Sequence, residues 1–390
     1  MSHRLISRSP DLKRLRDDEY DVGIVSNHLV VRDVPYLNSK REVKRGVLVS
    51  TLHLANDVTR EPDTHVAYFI GEYPCHLTGE EIDQIRHGGR QDLGGGLVTD
   101  HSFSNKPPGG YPDYHAKMTR YIEIISAPAR AVDPEATAKT SPVIECAEEE
   151  SVFMYLDTAS SRAEIGAVSA KLEIGPVAIV GLGGTGSYVL DLIAKTPVAA
   201  IHLFDGDVFS QHNAFRSPGA PSGEELAARS TKVDYFRNKY GNMRRHIVAH
   251  PYFLDGNNVQ ELDEMAFVFV SMDNADAKRA IVERLESRDI PFVDVGMGVQ
   301  LTDGRLSGLL KMTANTKAKR DHFAGRVPFT MGEGRNEYDK NIQVADLNAL
   351  NAALAVIKWK KLFGFYHDLE SEHFAIYAII DNSMTNEDQA

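Results

Sequence analysis

Residues 177–187 read VAIVGLGGTGS, a four-residue apolar run followed at once by glycines at 181, 183, 184 and 186. Short β-branched runs bounded by glycine suit a buried strand, and the residues after the glycines carry helical spacing. Strand, glycine turn and helix in this order make the opening of a parallel βαβ unit. In such a unit Gly181 makes the tight turn, Gly183 leaves the backbone open to phosphates, and Gly186 lets helix and strand pack closely. The glycines alone fit a ligand-free close-packed turn; the strand before and the helix after them favour a nucleotide.

The pattern continues downstream. From about Glu164 onward strand-like runs at 177–180, 199–204, 266–270 and 292–295 alternate with helical spacing at 187–195 and 275–288. Residues 341–363 add a long helix, with Leu347, Leu350, Leu354 and Ile357 recurring at three and four residues. This alternation predicts an α/β fold, a Rossmann-like, mostly parallel sheet with flanking helices, over residues 161–390. The polar, glycine-dotted interval 315–340 reads as a mobile loop crossing the site. Residues 1–160 have a different texture. Strand-like runs at 47–54 and 65–70 stand among turn-rich segments such as GGRQDLGGG and KPPGG, which predicts a smaller α+β domain of unknown fold, serving recognition.

Composition narrows the partners. The chain of 390 residues is long enough for two cores. Its formal net charge of -12 argues against a nucleic-acid groove. No apolar run approaches the roughly 18 residues of a membrane span, and the N-terminus lacks the apolar stretch of a secretory signal. With Cys75 and Cys146 as the only cysteines, a disulfide framework and a four-thiolate zinc site are excluded, and a reducing cytoplasm is the expected home.

The second informative cluster is FDGDVFSQHNAFR at 204–216. Asp205 ends the second expected strand, where a carboxylate accepts from ribose hydroxyls, although an ordinary strand-end aspartate looks the same. A nicotinamide dehydrogenase fits this far. Asn213, Arg216 and Lys232 shift the balance, since a departing pyrophosphate develops charge that Arg and Lys stabilise. Each of the three alone also fits a solvated surface residue. Ser271-Met272-Asp273-Asn274 then sets an acid at the carboxyl edge of the sheet, where Asp273 suits Mg²⁺ and equally suits the N-cap of the following helix.

With these residues in view the chain resembles the ThiF family, the ubiquitin-activating-enzyme-like adenylating enzymes. The likeness lies in GLGGTGS, in FDGDVFSQHNAFR, in Lys232 and in SMDN, and covers about residues 160–365. It implies that ATP·Mg²⁺ and a carboxyl-terminal carboxylate react to an acyl adenylate and pyrophosphate. On that resemblance Asp205 holds the ribose, Asn213, Arg216 and Lys232 the phosphates, and Asp273 the metal, with Gly181, Gly183, Gly184, Gly186, Asp207 and Asn274 around the nucleotide. Family members often supply an arginine across a homodimer interface from just before the first strand; Arg162 is the nearest candidate, an exposed arginine being the ordinary alternative. His212 stands where serine is usual and Ser217 where glutamine is common. No cysteine follows residue 146, so this half has neither the family's thioester cysteine nor its paired CxxC zinc motifs.

The first 160 residues resemble the uncharacterised domain found ahead of ThiF-like domains encoded near bacterial multiubiquitin-like proteins. That association implies a bacterial enzyme with a ubiquitin-like protein whose C-terminus is activated and a downstream conjugation or acceptor protein, and the ThiF resemblance implies a homodimer. Rival readings are adenylation of a small peptide or amino-acid carboxylate, an NAD-dependent oxidoreductase, and a catalytically silent scaffold. Cys75, ahead of a short helix expected near Gly79, is either a thiol acceptor or a packed small side chain, the latter being favoured. Cys146 among glutamates is a poor nucleophile. His101, Lys106, His115 and Lys117 with nearby aromatics suit either recognition of an extended peptide tail or a well-packed loop region.

Overall fold

The computed structural model describes residues 2–327 and 342–390, so the second half of the expected crossing loop, 328–340, and the first residue of the expected long helix lie outside the described residues. The chain divides into two compact units, Met1–Ile144 and Glu145–Ala390.

The first unit is an antiparallel sheet with helices. Six strands run in the order Val22–Val25, His28–Leu37, Val43–Thr51, Val66–Ile70, His101–Ser104 and Arg86–Gly88. The helix Tyr114–Val132 starts at Asp113, whose side chain accepts from the Ala116 N–H. It buries Tyr114, Met118, Tyr121 and Ile125 against Leu29, Val31, Phe69 and Phe103 of the sheet. Spacings of three and four residues place Tyr114, Lys117 and Tyr121 on one helix face. All three satisfy backbone that no ladder reaches: Tyr114 Oη accepts from His53 N (2.7 Å), Lys117 Nζ donates to Thr64 O (2.8 Å), and Tyr121 Oη donates to His65 O (2.6 Å). Lys117 is therefore fully buried, and also donates to Ser50 Oγ at 2.8 Å, so it is not a surface group for peptide recognition. His115 pairs with Asp18 at 2.8 Å, and His101 packs edge-on against Tyr73. The short helix expected near Gly79 is a single 3-10 turn at Asp83–Ile85.

In the second unit eight strands follow the order Ile247–His250, Ile201–Phe204, Val177–Val180, Phe267–Val270, Phe292–Thr302, Arg305–Asn315, Glu372–Ala378 and Ser383–Gln389. The first five are mutually parallel and the last three antiparallel. The chain runs outward from Val177–Val180 through Ile201–Phe204 to Ile247–His250, then returns to Phe267–Val270 on the other side. That reversal opens a crevice at the carboxyl ends of Val177–Val180 and Phe267–Val270, where ligands bind in open α/β sheets. Ile247–His250 is a sheet-edge strand with no fully buried residue, and its apolar run is only three residues long after the polar segment 241–246. The 292–295 strand extends to Thr302 and turns back through Asp303 (φ 50) and Gly304 (φ 73), the left-handed pair that closes a two-residue hairpin. Arg245 fastens the start of this unit, donating to Cys146 O at 2.7 Å and Ser151 O at 3.1 Å.

The long helix is Ala345–Leu362, but its buried face is not the leucine stripe. Leu347, Leu350 and Leu354 are half-buried and Ile357 is 42% exposed. Asn348, Asn351, Ala352, Ala355 and Trp359 turn inward instead. At Asn348 this face meets the glycine-rich helix Gly184–Ile193 too closely for a leucine, whereas Trp359 farther along packs against Phe267 and Phe269 of the sheet. Among the described residues no helix is long and apolar enough to cross a membrane.

Lys117 has no carboxylate hydrogen-bonded to it, and burial pulls its ammonium down to about 8 from an ordinary 10.5. Between those values the unfolded chain holds a proton that the folded unit has released, so stability rises with pH. From pH 8 to pH 10 the chain is expected to gain about 1–2 kcal/mol, and Lys117→Met to abolish the gain. Urea midpoints across that range, read on both proteins, check this.

Candidate active site

At the crevice the backbone comes closer than side chains allow. Gly181 adopts φ +89, and a Cβ there would lie 2.2 Å from Ser271 O; a Cβ on Gly186 would lie 1.9 Å from Gly181 O. Gly183 caps the helix Gly184–Ile193, and the space where its Cβ would sit is open. Gly184 differs, because a Cβ there would strike the Asn348 side chain 2.0 Å away. Its smallness serves helix packing.

The turn is wired to both neighbouring strands. Gly181 N donates to Phe204 O (2.8 Å), and Ser271 N donates to Val180 O (2.8 Å). Asp205, buried at the end of Ile201–Phe204, accepts from Leu182 N at 2.7 Å through Oδ2 and from Asp207 N at 2.9 Å through Oδ1. Lys232 opens the helix Lys232–Gly241, whose cap Thr231 accepts from Asp234 N. Its ammonium lies 2.6 Å from Asp207 Oδ2 and 3.4 Å from Asp205 Oδ2. Asp205, Asp207 and Lys232 thus form one buried-to-exposed charge cluster beside the glycine turn.

Asn213 sits on a tight helical turn, Gln211–Ala214, closed by a reciprocal Ser210–Asn213 cap, and Arg216 just beyond it donates its N–H to Asn213 O at 3.1 Å. Asn213 Oδ1 accepts from Ser210 N at 2.8 Å, which leaves its NH₂ as the end a ligand would meet. Arg216 Nε is buried with no hydrogen-bond partner, the kind of donor an anionic oxygen would satisfy. Asn348 ties this turn to the glycine helix: Thr185 Oγ1 donates to Asn348 Oδ1 (3.0 Å), and Asn348 Nδ2 donates to Arg216 O (3.2 Å). This fully buried asparagine was invisible to motif reading; two asparagines inside one helix, 348 and 351, were the available signal.

Across the crevice Asn274, not Asp273, caps the helix Ala275–Ser287, its Oδ1 accepting from Ala277 N at 3.0 Å. Asp273 is exposed and stands next to that cap. Behind it Lys278 pairs with buried Asp294 at 2.7 Å. Burial pushes the Asp294 carboxyl up, Lys278 opposes this, and the Asp273 charge adds to the rise. Arg162 is exposed in the last turn of Thr158–Arg162. The fold thus links Asp205, Asp207, Asn213, Arg216 and Lys232 through hydrogen bonds around the glycine turn. Asp273 follows the neighbouring strand end.

Comparison with known families gives two matches. The description "ThiF family" matches residues 161–357, and "Domain of unknown function (DUF6791)" matches residues 10–158. The chain belongs to the ThiF family. Its second unit is accordingly an adenylyltransferase domain, of the class that activates a carboxylate with ATP. No curated protein matches the chain. Solved structures similar to it include E. coli MccB with MccA-N7isoASN (15% identity, TM-score 0.47, covering 60% of this chain and 70% of that one). Selenomethionine PaaA is similar at 17% identity and TM-score 0.44, covering 57% and 75%, and E. coli MccB with ATP at 17% and 0.43, covering 60% and 70%. Likenesses this distant say nothing of substrate.

Asn348 gives this ThiF domain a testable joint. Asn348→Ala leaves Thr185 Oγ1 and the Arg216 carbonyl unpaired, at an expected cost of about 2 kcal/mol. Gly184→Ala is expected to destabilise the wild-type background strongly and the Asn348→Ala background by about 1 kcal/mol less, because the clashing side chain is gone. A double-mutant cycle on urea unfolding measures that coupling; strict additivity would remove Asn348 from this role.

Proposed function

We propose that the chain is a bacterial, cytoplasmic, homodimeric enzyme that adenylates the C-terminal carboxylate of a ubiquitin-like protein. Residues 1–160 serve as the recognition domain and 161–390 as the adenylation domain. The observation that carries the adenylation reading is the hydrogen-bonded group of Asp205, Lys232 and the Arg216 turn around a glycine turn in which Gly183 leaves open space at the helix N-terminus. A nicotinamide cofactor needs no such collection of cations.

In this reading a carboxylate oxygen of the substrate attacks the α-phosphorus, forming the acyl–phosphate bond. The α-phosphorus to β-oxygen bond breaks and pyrophosphate leaves. No proton moves, so no general base is needed, and the residues act by positioning and charge neutralisation. Asp205 receives the ribose hydroxyls. Asn213, Arg216 and Lys232 hold the phosphates, Lys232 exchanging an Asp207 oxygen for phosphate oxygens. Among the described residues no group of three or more His, Cys, Asp or Glu could hold a metal alone. Mg²⁺ binds through one or two carboxylates plus phosphates; Asp273 would supply the carboxylate and the ion would neutralise phosphate charge. Asn274 supports the position as the helix cap, and Arg162 reaches across a homodimer interface.

The acyl group then passes to an acceptor outside this chain. Cys75 is 1% exposed, its Sγ donates to Tyr73 O, and burial together with Glu81 and Glu72 pushes its thiol up, the reverse of an activated nucleophile.

ATP–pyrophosphate exchange tests the reading. Exchange is expected with a ubiquitin-like protein bearing a free C-terminal tail and not with free short peptides, and Arg216→Ala or Asp273→Ala should each reduce it by about 100-fold or more. Exchange driven by peptides alone would move the substrate to the peptide class. NAD binding that survives Arg216→Ala, without exchange, would make the chain an oxidoreductase. Intact mass should show no thiol-cleavable adduct on Cys75, and Cys75→Ala should retain exchange.

A further inference from the structure

Phe253 is a large aromatic side chain with 62% of its surface exposed, yet the chain around it is tightly held. The preceding Tyr252 Oη lies 2.9 Å from His250 Nδ1 and donates to Glu261 Oε2 at 2.6 Å. The following Leu254 is buried in the core. Asn258 Nδ2 donates to Phe253 O (3.0 Å), while Asp255 N donates back to Asn258 Oδ1 (2.8 Å). The ring is thus presented from a fixed backbone and is not part of the core.

Its neighbour explains where it points. The ring lies over Gly206, where a Cβ would meet Phe253 ring atoms at 2.7, 2.8 and 3.0 Å. Gly206 does not adopt a positive φ, so its backbone does not demand glycine. The missing side chain makes room for the ring. Gly206 directly follows Asp205, the residue assigned to the ribose above.

The order of strands supplies the ligand. Phosphates belong at the glycine turn ending Val177–Val180, and ribose at Asp205, which ends the adjacent strand Ile201–Phe204. A nucleotide continuing in that direction reaches the end of the next strand, Ile247–His250, about 4.8 Å farther on. Phe253 lies three residues beyond that strand, against the residue after the ribose acid.

We infer that Phe253, seated on Gly206, is the platform on which the nucleobase stacks. The inference rests on the adenylation reading and adds a residue to it. A flat aromatic face offers a purine more stacking area than a pyrimidine.

The test measures equilibrium binding, with Mg²⁺, of ATP and of ribose 5-triphosphate, which carries the same sugar and phosphates without a base. The full chain and its Phe253→Ala, Phe253→Trp and Gly206→Ala variants are compared. Stacking predicts that Phe253→Ala weakens ATP about tenfold and leaves ribose 5-triphosphate within about twofold. Phe253→Trp should retain ATP affinity, and Gly206→Ala, whose methyl displaces the ring, should resemble Phe253→Ala. ATP affinity unchanged in Phe253→Ala, or equal losses for both ligands, overturns the platform and leaves the adenylation reading standing. Failure of the wild-type chain to bind either ligand overturns both.

Discussion

The second unit depends on one close approach, that of Gly186 to the carbonyl of Gly181, where a Cβ would sit 1.9 Å from the oxygen. It brings a helix N-terminus against the end of the first parallel strand. From the same turn, the Gly181 N–H reaches Phe204 O, and Val180 O receives the Ser271 N–H. Three strand ends are thereby set relative to one another. The loops bearing Asp205 and Asp273 leave from two of those ends, so their carboxylates are placed by backbone contacts before any ligand arrives. A side chain at 181 or 186 would disturb all of this together.

The long helix Ala345–Leu362 extends the same constraint. A helix lying against glycines must present small or hydrogen-bonding residues, and Asn348, Asn351, Ala352 and Ala355 do so. Asn348 answers two polar groups of the site, one on the glycine helix and one on the Arg216 turn. Hydrophobic spacing alone therefore points to the wrong face: Leu347, Leu350 and Leu354 are periodic but only half-buried. Hydrophobicity identifies the helix, while the close contact decides which way it turns.

What could be read from sequence divides along the same line. The glycine turn is legible because its demand is local: a positive φ at 181 and the close approach of 186 to the carbonyl of 181 are properties of a few consecutive residues. Asp205 follows from its spacing to that turn. The partners of Lys117, Asn348 and Gly206 are not legible, because they lie on segments 53, 132 and 47 residues away or more and answer geometry that no local pattern encodes. The three antiparallel strands at the sheet's edge fall between. Their hairpin carries an Asp303-Gly304 turn signal, but the glycines and polar residues of the long strands mask the alternation around it.

The buried lysines show how the two units handle charge. In the second unit Lys232 stands beside Asp205 and Asp207, Lys278 beside Asp294, and Lys358 beside Asp368. In the first unit Lys117 donates only to a hydroxyl and a carbonyl, and its ammonium is pulled down accordingly. The charge of Asp63 acts on Lys117 without a direct contact and does not outweigh burial, whereas the lysines of the second unit have carboxylates in contact. For Lys232 this has a consequence at the crevice. Its desolvation is already offset within the protein, so in the proposed adenylation reading a triphosphate would exchange Asp207 oxygens for phosphate oxygens around a cation that stays in place. In that reading the exposed Asp207 carboxylate would return to water as it is released, which makes the exchange easier than stripping water from an unpaired lysine.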